Sequence, residues 1–169
     1  MRSGIKACER AKCVVSTLTL IYSAIDALAA LTRESQNTRA TRKEFLDWVN
    51  SYLLPELDSD LTAMDIYGAR CGVVHTYAPT SDLSRDGKVK LVVYKWREGH
   101  RPDDPILAER ARSATVIEIE EVIDGLNRAV QAFERHIDAD VALGRRVERN
   151  IVDLLCYEPW NPIAITVAA

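Results

Sequence analysis

Ala11, Val14, Leu18, Ile21, Ile25, Leu28 and Thr32 recur at alternating steps of three and four. That spacing lays a single stripe along a helix and predicts a long, core-facing helix over residues 5–33. A polar stretch, Glu34 to Ala40, follows. Thr41 and Glu44 stand three apart just before Phe45, Trp48, Val49 and Tyr52. This is the pattern of a capping box, and it predicts a second helix through about Leu53, ended by Pro55. A third helix is predicted from a cap at Asp58 or Asp60 to about Tyr77, where Pro79 bars extension.

The period then changes. In residues 88–97 Val89, Leu91 and Val93 alternate with Lys88, Lys90 and Tyr94, a strand signal. A short β-branched run at 114–119 pairs with it as a small β-hairpin, with a loop rich in Pro, Arg and Asp between them. Val122, Ile123, Leu126, Val130, Phe133 and Ile137 predict a fourth helix over 120–138. Val147, Ile151, Leu154 and Leu155 predict a fifth over 139–155. The expected fold is mainly α: a five-helix up-and-down bundle with the hairpin inserted between helices three and four. One domain spans 1–169, with its core over about 5–155 and a surface tail at 156–169.

Seven Gly and six Pro in 169 residues favour helices over many short strands. A net charge of −3 excludes unspecific nucleic-acid binding by the whole surface but leaves room for a local basic patch. Cys8, Cys13, Cys71 and Cys156 form no Cys-x-x-Cys pair, and His75, His100 and His136 lie far apart. No metal site is expected from such spacing, and no cofactor. The cysteines are expected to be free thiols, three of them in apolar helical surroundings. The apolar run from Cys13 to Tyr22 resembles a signal peptide, but Glu9 precedes it and Asp26 follows it, so it is read as part of the fold. No stretch is expected to be long enough to span a membrane, and a cytoplasmic location is the default.

The third helix carries the candidate chemistry. Gly68 and Gly72 are four apart and stack on one face, with His75 three residues further on the same face. Two helical glycines on one face imply close approach there, either by another helix or by a ligand. Arg70 and His75 are five apart and point about 140° from each other on an ideal helix. They flank a groove, and Arg is long enough to bend toward His. They form a site, or an ion pair and a core histidine. Asp26 lies at the edge of the first helix's apolar stripe and needs a partner. Arg70 is the obvious one, with Asp26 either orienting it or forming a buried structural pair with it.

Arg70-Cys-Gly-Val-Val-His75 matches the Arg-x4-to-6-His motif of the HEPN superfamily. The stretch YGARCGVVHTYAPTSDLSRDGK resembles uncharacterised bacterial proteins of that group. The resemblance in arrangement covers about residues 10–155, and in specific residues about 65–96. It implies a HEPN-like bundle with metal-independent RNA cleavage, in a toxin or defence protein, by a homodimer whose site is composed across a two-fold axis. The implied partners are RNA and an antitoxin protein. Arg70 and His75 are then the catalytic pair, with Asp26 and Tyr67 in support. Histidine moves a proton near neutral pH, and arginine stabilises charge on a pentacovalent phosphorus. Cys71 stands where active members often carry a polar residue. The alternative is therefore a catalytically inactive HEPN-like protein that binds or oligomerises.

Lys88, Lys90, Tyr94 and Trp96 are expected to share one face while Val89, Leu91 and Val93 face the core, and six Lys or Arg against two acids lie between Arg85 and Arg101. Charge beside aromatic rings suits single-stranded RNA. Lysines at a sheet edge also protect against aggregation.

Overall fold

The computed structural model describes residues 2–34, 40–98 and 114–152. Among them helices dominate: α1 (Arg2–Arg10), α2 (Val14–Leu31), α3 (Arg42–Trp48), α4 (Ala63–Thr76), the short α5 (Asp82–Arg85), α6 (Ile119–Ala139) and α7 (Val141–Ile151). Two strands, β1 (Val92–Lys95) and β2 (Thr115–Glu118), complete the set. The fifth helix expected over 139–155 extends past the described residues and the tail at 156–169 lies outside them, as do Leu154, Leu155, Cys156, His100 and Arg101.

Helix α2 is the central element. Leu18, Ile21, Tyr22, Ala24, Ile25 and Ala29 are buried on it, where they meet Trp48, Val49 and Phe133 in one core cluster. It is 18 residues long with a mean hydropathy of 1.8, so by length and composition it is apolar enough to cross a membrane. That corrects the expectation that no stretch qualifies. The physical reason is that a helix buried along most of one side needs nearly the same composition as one immersed in lipid.

The long first helix is broken. Lys12 adopts φ 53°, and the Cys13 N–H donates to the Cys8 carbonyl at 2.9 Å, which ends α1 with a left-handed turn. No Gly or Pro marks this point in the sequence. The Lys12 ammonium instead reaches 4.6 Å from the centre of the Trp96 ring and 3.5 Å from Glu120. The turn lets α1 fold back, so that Ile5 closes a groove lined by Leu28, Ile123, Leu126 and Val130.

The expected capping box is present at α3: the Thr41 N–H donates to Glu44 Oε2 at 2.8 Å, and the Thr41 hydroxyl accepts from the chain. Phe45, Trp48 and Val49 are buried as expected. From Val49 to Leu53 the helix widens to a π-helical turn, and Pro55 sits in a 3-10 turn, Leu54–Glu56. Ile151, expected inward, is exposed, and Asn150 is buried instead. Its Nδ2 donates to the Leu31 and Arg33 carbonyls at 2.8 and 2.9 Å, tying α7 to the end of α2.

The expected hairpin is a parallel pair. Val92 stands opposite Thr115 and Lys95 opposite Glu118, running the same way. The connection over 96–114 exceeds the dozen or so residues that a parallel return needs, whereas a hairpin needs only a tight turn. Val92, not Val93, is the buried strand residue, which puts Tyr94 on the inward side as well.

Helix α4 starts at Thr62 rather than at Asp58 or Asp60. The Thr62 N–H donates to Asp65 Oδ2 at 2.8 Å, and the Asp65 N–H donates to the Thr62 hydroxyl at 3.2 Å. Asp60 is engaged elsewhere, accepting from Lys90 Nζ at 2.7 Å. The other Asp65 oxygen accepts the Lys90 N–H at 2.6 Å, so one buried carboxylate caps α4 and anchors the chain leading into β1. Burial pushes the Asp65 pKa up, but the Thr62 hydroxyl, the two N–H groups and the Lys90 charge outweigh it and hold it below the usual carboxylate value. A depressed folded pKa contributes stability above the unfolded value, near 3.8, and that stability is lost as pH falls through the folded value. Asp65→Asn should therefore melt below wild type at neutral pH and show a shallower acid limb below about pH 4. Melting curves across that range check this; an unchanged acid slope would remove Asp65 from the account.

Candidate functional site

Arg70 lies in the middle of α4, and His75 in its last turn. Both Arg70 Nε and Nη2 donate to Asp26 Oδ2 on α2, at 3.0 and 2.8 Å. The third nitrogen, Nη1, lies 3.1 Å from His75 Nε2. The guanidinium thus bends across the helix surface and spans from Asp26 to His75. A guanidinium only donates, so in this contact His75 Nε2 can serve only as the acceptor.

The site is accessible. The Arg70 side chain is 20% exposed and Asp26 35%, while His75 is exposed at the helix end. Burial would lower the Arg70 pKa, but the bonds to and charge of Asp26 more than offset it, so the guanidinium stays charged. Asp26 is held on α2 one turn beyond Tyr22 (four residues on), whose hydroxyl bonds the Tyr94 hydroxyl. Burial raises the Tyr22 pKa, with Tyr94 adding to it, and burial raises that of Tyr94, so both phenols stay protonated.

The glycine face has a local cause. A Cβ at Gly72 would lie 2.6 Å from the Ala78 carbonyl and 3.1 Å from that of Thr80. One at Gly68 would lie 2.6 Å from Val89 Cγ2. The groups that approach this face are thus the turn after α4 and the segment before β1 of the same chain.

The structure brings Asp26, Arg70 and His75 together. Tyr67 packs edge-on to Phe45 at 5.4 Å, with the Arg42 guanidinium 5.0 Å over its ring, and so braces α4 against α3. Lys88 and Lys90 precede the strand and pair with Asp86 at 2.9 Å and Asp60 at 2.7 Å. Tyr94 turns its hydroxyl to Tyr22, and one face of Trp96 lies under Lys12. The Trp96 indole N–H is buried with no hydrogen-bond partner among the described residues. The four do not form one open basic and aromatic face.

Sequence reasoning gave Tyr77 no role beyond the end of a helix. It is the left-handed cap of α4, two residues after His75, and 69% exposed. Among the described residues, no group of three or more His, Cys, Asp or Glu is arranged to hold a metal ion. Cys8, Cys13 and Cys71 are free, and Cys13 is exposed rather than buried because α1 ends beside it.

Compared with models of known families, with curated proteins and with solved structures, the chain gives no match.

Proposed function

We propose that the protein is a metal-independent endoribonuclease of the HEPN type, with His75 as the proton-transfer residue, Arg70 as the charge-stabilising residue and Asp26 as the group that positions Arg70. The observation that carries this reading is the Asp26–Arg70–His75 chain, with Arg70 Nη1 at 3.1 Å from His75 Nε2 at an exposed helix end. The resemblance of the Arg-x4-His segment supports it.

The chemistry follows from those atoms. A phosphate bound at Arg70 Nη1 draws that donor away from His75 and frees Nε2 to accept a proton. The ribose 2′-oxygen then attacks phosphorus while its proton passes to Nε2. Arg70 stabilises the charge on the equatorial oxygens, with Asp26 fixing the orientation of the fork. The bond from phosphorus to the 5′-oxygen breaks, that oxygen takes a proton from water, the hydroxide so formed takes back the proton held on His75 Nε2, and a 2′,3′-cyclic phosphate remains. The reading includes a homodimer and an antitoxin protein as partner.

Incubation of the purified protein with total RNA in EDTA tests this. Wild type is expected to cleave and to leave cyclic phosphate ends, and His75→Ala is expected to leave the RNA intact. Absence of cleavage by wild type at high enzyme concentration, or equal cleavage by both, overturns the reading.

A further inference from the structure

We propose that Tyr77 is the stacking platform for a base of single-stranded RNA held at the Arg70–His75 site, a positioning role that rests on the reading above. Two non-glycine residues in the described chain have positive φ, Lys12 and Tyr77, each at 53°. A left-handed conformation is unfavourable for a residue with a Cβ and needs a compensating interaction. Lys12 has one, through Trp96 and Glu120. At Tyr77 the compensation is in the backbone alone: its N–H donates to the Val73 carbonyl at 3.2 Å and closes the helix, while no hydrogen bond, ion pair or ring contact among the described residues engages its side chain. Its ring is 69% exposed at a position where glycine is the usual residue.

The backbone that carries the ring is held in place. The Ala78 N–H donates to the Gly72 carbonyl at 3.3 Å, and the Ala78 and Thr80 carbonyls press on Gly72 with no room for a side chain. This closed turn sets Tyr77 at the same helix end as His75, two residues beyond it. An exposed aromatic residue at the helix end toward which the Arg70 guanidinium reaches matches a nucleotide, with charge for the backbone and a flat surface for the base. Bases inside a duplex already stack on each other, so the face selects an unpaired one.

The test separates stacking from folding and from cleavage. Tyr77→Gly should melt no lower than wild type, because glycine adopts this conformation freely. In the His75→Ala background, binding of a labelled single-stranded ribo-oligonucleotide is read by anisotropy in EDTA. Adding Tyr77→Gly should raise Kd roughly tenfold, the loss of about one stacked base, while Tyr77→Trp should keep it. In cleavage, Tyr77→Gly should raise KM by a similar factor with kcat little changed. Binding unmoved by Tyr77→Gly, or absent from the start, overturns the inference. Binding weakened by Tyr77→Gly in a protein that cleaves nothing leaves stacking standing and defeats the ribonuclease reading. Cleavage with a KM unmoved by Tyr77→Gly does the reverse.

Discussion

Arg70→Lys is expected to lower RNA cleavage roughly 100-fold or more while leaving the fold in place, since removing one preorganised donor to a transition state commonly has that effect. An ammonium keeps the charge but lacks the planar fork that reaches both Asp26 Oδ2 and His75 Nε2. Arg70→Ala goes further, because it leaves Asp26 unpaired against the α2–α4 contact. A fully buried pair broken in this way costs about 3–5 kcal/mol. Here the two side chains are 20% and 35% exposed, so water screens the orphaned carboxylate and about 1–2 kcal/mol is expected. The double variant Asp26→Asn with Arg70→Gln should recover part of that loss without restoring cleavage. Thermal melts and cleavage rates on the same preparations decide the matter. Wild-type cleavage by Arg70→Lys would end the charge-stabilising role, and a large destabilisation rescued in the double variant would make the pair chiefly structural.

Gly72→Ala is expected to destabilise by roughly 2–3 kcal/mol and to abolish cleavage, whereas Gly68→Ala should cost less, about 1 kcal/mol. The two glycines look equivalent, four apart on one helix face. At Gly72 the obstacles are the backbone oxygens of Ala78 and Thr80, which cannot move without opening the turn that closes the helix end where His75 sits. At Gly68 the nearest atoms are those of the stiff Val89 side chain, which must rotate or shift to give way but are not backbone. The gain in helix propensity from Gly to Ala, about 1 kcal/mol, then offsets a larger part of the crowding at Gly68 than at Gly72. Urea or thermal unfolding of both variants checks this, and equal effects would show that the turn is softer than its geometry implies.

Features of this chain that depend on neighbours within one or two helical turns were legible from the residues. The Thr41–Glu44 cap closes over three residues, so composition and spacing determine it. The stripe from Leu18 to Leu28 needs only a 3.6-residue period and an apolar environment to turn inward. The Arg70–His75 approach is likewise local, because a long flexible side chain crosses one turn of its own helix. Asp26 was legible in kind, since a carboxylate beside a core needs a cation, but only the packing of α2 on α4 makes that cation Arg70.

Other features depend on distant parts of the chain. The break at Lys12 carries no Gly or Pro and is sustained by Trp96 and Glu120, more than eighty residues away in sequence. Alternation cannot distinguish a parallel from an antiparallel partner, because side-chain parity is the same in both, and in residues 88–97 it pointed Val89, Leu91 and Val93 inward, the wrong parity. Tertiary packing chose Val92 and Tyr94 for that role. It also filled the glycine face with the chain's own turn and left the Tyr77 ring in solvent. Sequence alone thus determined which residue types could do chemistry and where along the helices they lie. The tertiary structure decided which of them meet, because a contact between distant segments forms only where the packing of the whole chain repays the entropy of bringing them together.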